Sequence, residues 1–205
     1  MTNSVRPPIP VRLAHRPTVG GLVQPWVNVQ LADGGVDFRR ANGTHWRRAW
    51  TEGRCQICSE RLGRLFVMIG GPDQLAEGGV FDEAPMHPEC AAYVTLACPM
   101  VAGRMTHFRP GPSLTEGARG QDCGVPGCDC GGYTDTEQVL HADGAVTIRR
   151  TDSTTSSAGK AAHPWYAVYA RAYHLAVTPE EHLLGGIPSG IIRTRQISSP
   201  TPGES

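Results

Sequence analysis

Apolar and polar residues alternate over residues 23–31, Val-Gln-Pro-Trp-Val-Asn-Val-Gln-Leu, with the period of two that suits a half-buried strand. Asp33-Gly34-Gly35 supplies a turn and Val36-Asp37-Phe38 a return segment, so a hairpin is predicted here. Thr44 is placed to cap a short helix on which Trp46 and Trp50 stand one turn apart. Next comes the continuous apolar run Leu65-Phe66-Val67-Met68-Ile69. With Gly78-Gly79-Val80-Phe81 it predicts two β segments around a turn at Gly71-Pro72-Asp73. Residues 89–98 predict a helix with Cys90, Val94, Ala97 and Cys98 inward, ended by Pro99, which disfavours helical geometry in the residue before it.

The rest of the chain is more broken. Residues 139–149 predict two short strands around the turn signal Asp143-Gly144. Residues 165–177 carry a helical stripe (Trp165, Tyr169, Ala172, Tyr173, Ala176), but their density of Tyr and Val favours a strand, which is the reading adopted. Thr178-Pro179-Glu180-Glu181 predicts a short helix stopped by Gly185-Gly186, and residues 190–197 a last strand. The resulting organisation is a Pro/Arg-rich arm (1–18), a core (19–108), a Gly/Cys-rich insertion (109–132), a C-terminal β segment packing on the core (133–197, with a Ser/Thr-rich linker at 151–163) and a disordered tail (198–205).

Cysteine spacing gives this pattern a centre. Cys55-Gln-Ile-Cys58 and His87-Pro-Glu-Cys90 are two ligand pairs, and together they offer three thiolates and one imidazole, a full tetrahedral shell for Zn²⁺ with no position left for water or substrate. Pro88 suits the first position of a helix, which puts His87 at the cap and Cys90 on the first turn, facing the same way. Knuckle, hairpin and helix in this order define an α+β fold, a small zinc-bearing treble-clef-like core with short β-hairpins and a few short helices. Cys98 lies about 12 Å further along the helix axis than Cys90 and is excluded from the site. Cys123, Cys128 and Cys130, with His141 or Cys98 as a fourth donor, are candidates for a second zinc site, against the alternative of free thiols on an insertion.

Composition and charge narrow the class further. Glycine (25) and proline (17) form about a fifth of the 205 residues, which excludes a helical bundle. Lysine plus arginine equals aspartate plus glutamate at 19 each, so no global field points to nucleic acid or membrane. Residues 1–54 nevertheless hold eight Arg against three acidic residues. Arg39, Arg40, Arg47 and Arg48 beside Trp46 form a candidate nucleic-acid contact, weighed against a reading in which the tryptophans pack under the zinc module and the arginines are solvated. No apolar run spans a membrane and the first residues lack a secretory core, so the expected location is the cytoplasm, where seven cysteines suit metal better than disulfides.

The run through Trp26, Phe38-Arg39, Cys55-x-x-Cys58, Leu62-Gly63, Gly71-Pro72, Pro85-Met86-His87-x-x-Cys90-Ala91 and Cys98-Pro99 resembles a group of uncharacterised zinc-binding proteins of actinobacteria and their phages. More loosely, the likeness extends to Tyr173 and Gly186-Ile187-Pro188. It implies a compact zinc-bearing α+β domain and carries no activity with it. The segment with Cys123, Cys128 and Cys130 departs from that pattern, as an insertion would. The expected function is a non-catalytic, zinc-stabilised module with one structural Zn²⁺ that contacts a protein or nucleic-acid partner. The competing reading is a metal-dependent nuclease of the His-metal finger type, which places a catalytic His on the hairpin. Residues 59–86 contain no His, and Asp73, Glu77, Asp82 and Glu83 fall in predicted turns. A redox pair at Cys55 and Cys58 is a third reading, which bound zinc would block.

Overall fold

The computed structural model describes residues 6–30, 35–105, 136–140, 146–150, 162–179 and 181–199; for 136–140, 146–150, Asp37, Arg39 and Arg40 it describes the backbone alone. The elements are β1 (Thr18–Val19), β2 (Leu22–Val23), β3 (Asn28–Gln30), β4 (Val36–Ala41), α1 (Gly43–Thr51), β5 (Phe66–Gly70), α2 (Pro72–Leu75), α3 (Pro88–Ala97), β6 (Thr136–Leu140), β7 (Val146–Arg150), β8 (Trp165–Val177) and β9 (Leu183–Ser198). Antiparallel pairs β1-β2, β3-β4 and β6-β7 accompany a three-stranded antiparallel sheet of order β5-β8-β9. The fold is α+β, with short helices and a Cys/His cluster compatible with a small zinc-binding core.

Every residue of β5 is buried, because both faces of the sheet are covered. Successive strand residues point to opposite faces. Val67 and Ile69 therefore join Ala167, α3 residues Ala91, Tyr93 and Ala97, and the cysteines Cys55, Cys58 and Cys90 in one cluster. Phe66 and Met68 join Val168, Ala170, Trp50, Phe81 and Val27 in the other. A strand covered on both sides reads as an unbroken apolar run, as this one does.

Several sequence expectations are corrected here. The predicted partner of β5 was the segment at Gly78-Gly79-Val80-Phe81, but β5 pairs with β8, Phe66 opposite Ala170, and residues 72–75 form a short helix instead of a turn. Phe81 bridges Gly186 of β9. The helix predicted from Thr178 is a tight hairpin turn, in which the Thr178 N–H donates to His182 O (2.8 Å) and Glu181 takes φ 63°. Gly185-Gly186 sits inside β9 and ends no helix. The N-cap of α1 is Asn42, whose Oδ1 accepts from His45 N–H (3.1 Å), and not Thr44. The inner face of α3 is Cys90, Ala91, Tyr93 and Ala97, with Val94 and Cys98 half-buried. The Pro/Arg-rich segment is no free arm: Val11–Leu13 forms a 3-10 turn and Leu13 is wholly buried beside the cysteines. No helix among the described residues is long and apolar enough to cross a membrane.

The Gly185-Gly186 pair has a packing reason. A Cβ on Gly186 would stand 2.4 Å from the Trp50 ring, and one on Gly185, at φ +144°, 2.0 Å from the Phe81 carbonyl oxygen. Trp50 is buried, with Tyr173 donating its hydroxyl to the Trp50 carbonyl (2.6 Å) and meeting its ring edge-on at 5.3 Å. Gly186→Ala is expected to lower stability by about 1–3 kcal/mol through overpacking. A Cβ on Gly63 meets nothing within 4 Å, so Gly63→Ala is expected to stay within about 0.5 kcal/mol of the parent in urea unfolding.

Candidate metal centre

The first ligand pair is built by a tight hairpin. Arg54 and Arg61 form an antiparallel bridge, Cys55 N–H donates to Glu60 O (2.8 Å), and Ser59 N–H donates to Cys55 O (2.9 Å). Ser59 closes the turn at φ 69°, in the left-handed region that costs a residue with a Cβ about 1–2 kcal/mol. The second pair opens α3: His87 is the N-cap with Pro88 following, and the Ala91 N–H closes the first turn on His87 O (2.9 Å). Backbone bonds dock the two pairs together. Gln56 N–H donates to Pro85 O (3.2 Å), and Met86 exchanges both its bonds with Val67 of β5 (2.8 and 2.9 Å).

The result is one buried group. One ligand atom each from Cys55, Cys58, His87 and Cys90 lies within 4.8 Å of every other, with the cysteines wholly buried and His87 6% exposed. Zn–S and Zn–N bonds of ordinary length give a tetrahedron with edges of about 3.5–3.8 Å. Cys58 Sγ and His87 Nδ1 already stand 3.3 Å apart. The other imidazole nitrogen, Nε2, is 3.0 Å from the Arg61 carbonyl oxygen. A carbonyl only accepts, so Nε2 carries a proton and Nδ1, hydrogen-bonded with Cys58, is the nitrogen turned toward the cysteines that a metal would take. This is the outer hydrogen bond that metal-ligating histidines use to fix their tautomer. The donor set, its burial and the histidine orientation all fit a tetrahedral ion.

The thiols show the same bias. Burial opposes charge on Cys55, but hydrogen bonds from Cys58 and Cys90, and backbone N–H bonds from Cys58 and His87, overcome it and hold Cys55 well below the ordinary thiol range. Cys90, hydrogen-bonded to Cys55 and Cys58 and also buried, is pushed up. The hydrogen bond with Cys58 raises His87 against the opposing effect of burial. Without a metal the cluster keeps protons that a metal must displace, so loading releases protons and affinity falls in acid.

Residues 6–18 contribute two cations that spacing did not reveal. Arg12 is ion-paired with Glu60 of the knuckle and, at 3.7 Å, with Glu89 of α3, so it ties the two ligand-bearing elements together. Arg16 donates to Gln24 O (3.2 and 3.3 Å); its burial lowers its pKa, and attraction to Cys58 and Cys55 opposes that. Three thiolates on a divalent ion leave one net negative charge, which these guanidinium groups offset. No motif announces such a pair in a Pro/Arg-rich stretch.

The remaining site candidates fare differently. Cys98 stands outside the ligand group, and the four described cysteines are free of disulfides. Cys123, Cys128, Cys130 and His141 lie outside the described residues, as do the side chains of Arg39 and Arg40 on β4. Trp46 donates its indole N–H to Asp82 O (2.6 Å) and meets Trp50 edge-on at 6.4 Å. Arg48 pairs with Glu52 (2.8 Å) and lies over the Trp26 ring, while Arg47 is half-buried. Trp46 and Trp50 thus pack on the sheet face opposite the cysteines, not under the metal group as the sequence suggested. Searched against protein-family models, curated proteins and solved structures, the chain matches none. Its own geometry defines the class, an α+β protein with a buried three-cysteine, one-histidine metal-binding group.

Ser59 offers a check on the knuckle. Ser59→Gly relieves the left-handed strain and is expected to match the parent or gain up to about 1 kcal/mol. Ser59→Val, β-branched at the same φ, is expected to lose about 1–2 kcal/mol in denaturant unfolding, with metal content unchanged in both.

Proposed function

We propose that this chain is a non-catalytic binding module whose treble-clef-like core is held together by one Zn²⁺ on Cys55, Cys58, His87 and Cys90, and that it contacts a protein or nucleic-acid partner in the cytoplasm. The observation that carries the proposal is the closed donor set: four buried ligand atoms within 4.8 Å, with the histidine tautomer fixed by Arg61 O. Soft thiolates with one imidazole select Zn²⁺ among the common divalent ions. A shell filled by protein holds structure and leaves no place where substrate could be polarised or water activated. The motif resemblance supports an origin among actinobacteria and their phages, where the protein would work in the host cytoplasm.

Metal analysis of protein purified without added zinc tests the first part. One equivalent of Zn is expected, and Cys55→Ser is expected to lose it together with cooperative thermal unfolding, because metal-binding free energy is folding free energy at such a site. Full zinc content and unchanged stability in Cys55→Ser would sink the assignment. The same analysis of Cys123→Ser reads the second candidate site, and an unchanged single equivalent leaves one zinc per chain.

The absence of catalysis has its own test. Asp73 and Asp82 are exposed, on a short helix and a loop, and Glu83, pushed up to about 7 by burial and by the neighbouring Asp82, does not make with them the pair of ionised carboxylates that a two-metal phosphodiesterase clamps its ions with. Plasmid nicking with added Mg²⁺ or Mn²⁺ is expected to stay at background. Cleavage that co-purifies with the protein and vanishes in a folded carboxylate variant would replace the binding-module reading with the nuclease one.

A further inference from the structure

On the flank of the knuckle, a shallow, open cleft of about 370 Å³ is lined by Glu52, Arg61, Leu62, Phe66, Arg171 and Tyr173. We propose that this cleft binds a phosphate group, gripped by Arg61 and Arg171. The idea goes beyond the zinc-module reading and stands or falls separately from it.

The argument is one of charge and unspent donors. Among the described residues Glu52 is the only carboxylate lining the cleft, and its charge is already used: Arg48 (2.8 Å) and Arg54 (2.5 Å) both donate to it and, in that order, hold it down to about 2. The end of α1 also points carbonyls this way, which would repel an anion. Those carbonyls are occupied, Trp50 O by the Tyr173 hydroxyl and Glu52 O by Arg61 Nη1 (3.2 Å). Arg61 spends one of its five N–H donors on that bond. The Arg171 side chain, exposed on β8, makes no ion pair or hydrogen bond among the described residues. The Glu52 carboxylate is thus neutralised by Arg48 and Arg54, and the two other arginines lining the cleft, Arg61 and Arg171, keep donors to spare.

A planar fork of N–H groups matches phosphate oxygens in pairs, which is why arginine recognises phosphate better than a point charge does. The backbone of Arg61 is held in place, since its carbonyl accepts from His87 Nε2 and it bridges Arg54, and one guanidinium nitrogen is tied to Glu52 O. The ligand chemistry is a phosphate oxyanion, whether free or in a nucleic-acid backbone.

The test uses zinc-loaded full-length protein labelled with ¹⁵N. Inorganic phosphate at low ionic strength is expected to shift the Gly53, Gly63 and Ala172 amides. Arg171→Ala is expected to weaken that binding about tenfold, as the loss of a charge-assisted pair does, whereas Arg195→Ala, on exposed β9, leaves it unchanged. A short thymidine oligonucleotide and the same sequence with uncharged methylphosphonate linkages then separate the sources. Tighter binding by the natural backbone alone identifies a phosphodiester ligand, and no gain over phosphate identifies a small phosphorylated one. Absence of shifts with both phosphate and oligonucleotide, or shifts indifferent to Arg171→Ala, overturns the proposal. Zinc content measured on the same samples shows whether the metal reading survives that failure.

Discussion

Three thiols and an imidazole packed into one dry pocket form the constraint on which the rest of this structure depends. Polar groups removed from water destabilise a protein unless something takes up their lone pairs. Here the partners are one another, with Cys58 against His87 at 3.3 Å and Cys55 accepting from its neighbours, until a divalent ion replaces the shared protons. Everything nearby serves that convergence. Gln56 is tied to Pro85, Met86 to Val67, the far side of His87 to Arg61, and Arg12 spans the knuckle and α3 from outside.

The opposite face of the sheet is held by different physics. Tyr173 meets Trp50 and Phe66 edge to face, and Phe81 joins their cluster, around positions where β9 carries no Cβ. Aromatic pairs of this kind add about 0.5–1.5 kcal/mol beyond their buried area. The indole of Trp50 fits because Gly186 leaves room for it, and the Phe81 backbone can pair with β9 for the same reason. One face of β5 is thus organised by ligand geometry and the other by shape.

What the sequence made legible were features that local chemistry determines. The four ligands follow from spacing and donor type, His87 as a helix cap follows from Pro88, and the strand over residues 165–177 follows from its Tyr and Val content. What it hid were choices made by distant residues. An apolar run such as Phe66–Gly70 says that a strand is buried but not what it pairs with, and its partner Ala170 lies far down the chain. Gly185-Gly186 resembles a helix stop because glycine ends helices, yet the need here was for close approach by Trp50 and Phe81, which only tertiary structure states. Leu13 was one apolar residue among prolines and arginines, with no period to mark it as core. Asn42 and Thr44 are both competent caps, and the bond to His45 N–H decided between them.

The two faces cannot fail independently, because β5 and β8 belong to both. Val67 and Ile69 rest against the ligand-bearing elements, while Phe66 and Met68, their immediate neighbours in the chain, rest against the aromatic cluster. Losing the metal would release α3 and the knuckle from one side and expose Val67, Ile69 and Ala167 to water. It would also free Met86 from the backbone pair that holds the β5 edge opposite β8. An edge strand that loses half its cover and one of its flanking bonds has little to keep its other face in register, since register is specified by burial. Metal binding at the knuckle and glycine-permitted packing at Trp50 are therefore two supports of one cooperative unit, and weakening either lowers the free energy available to the other.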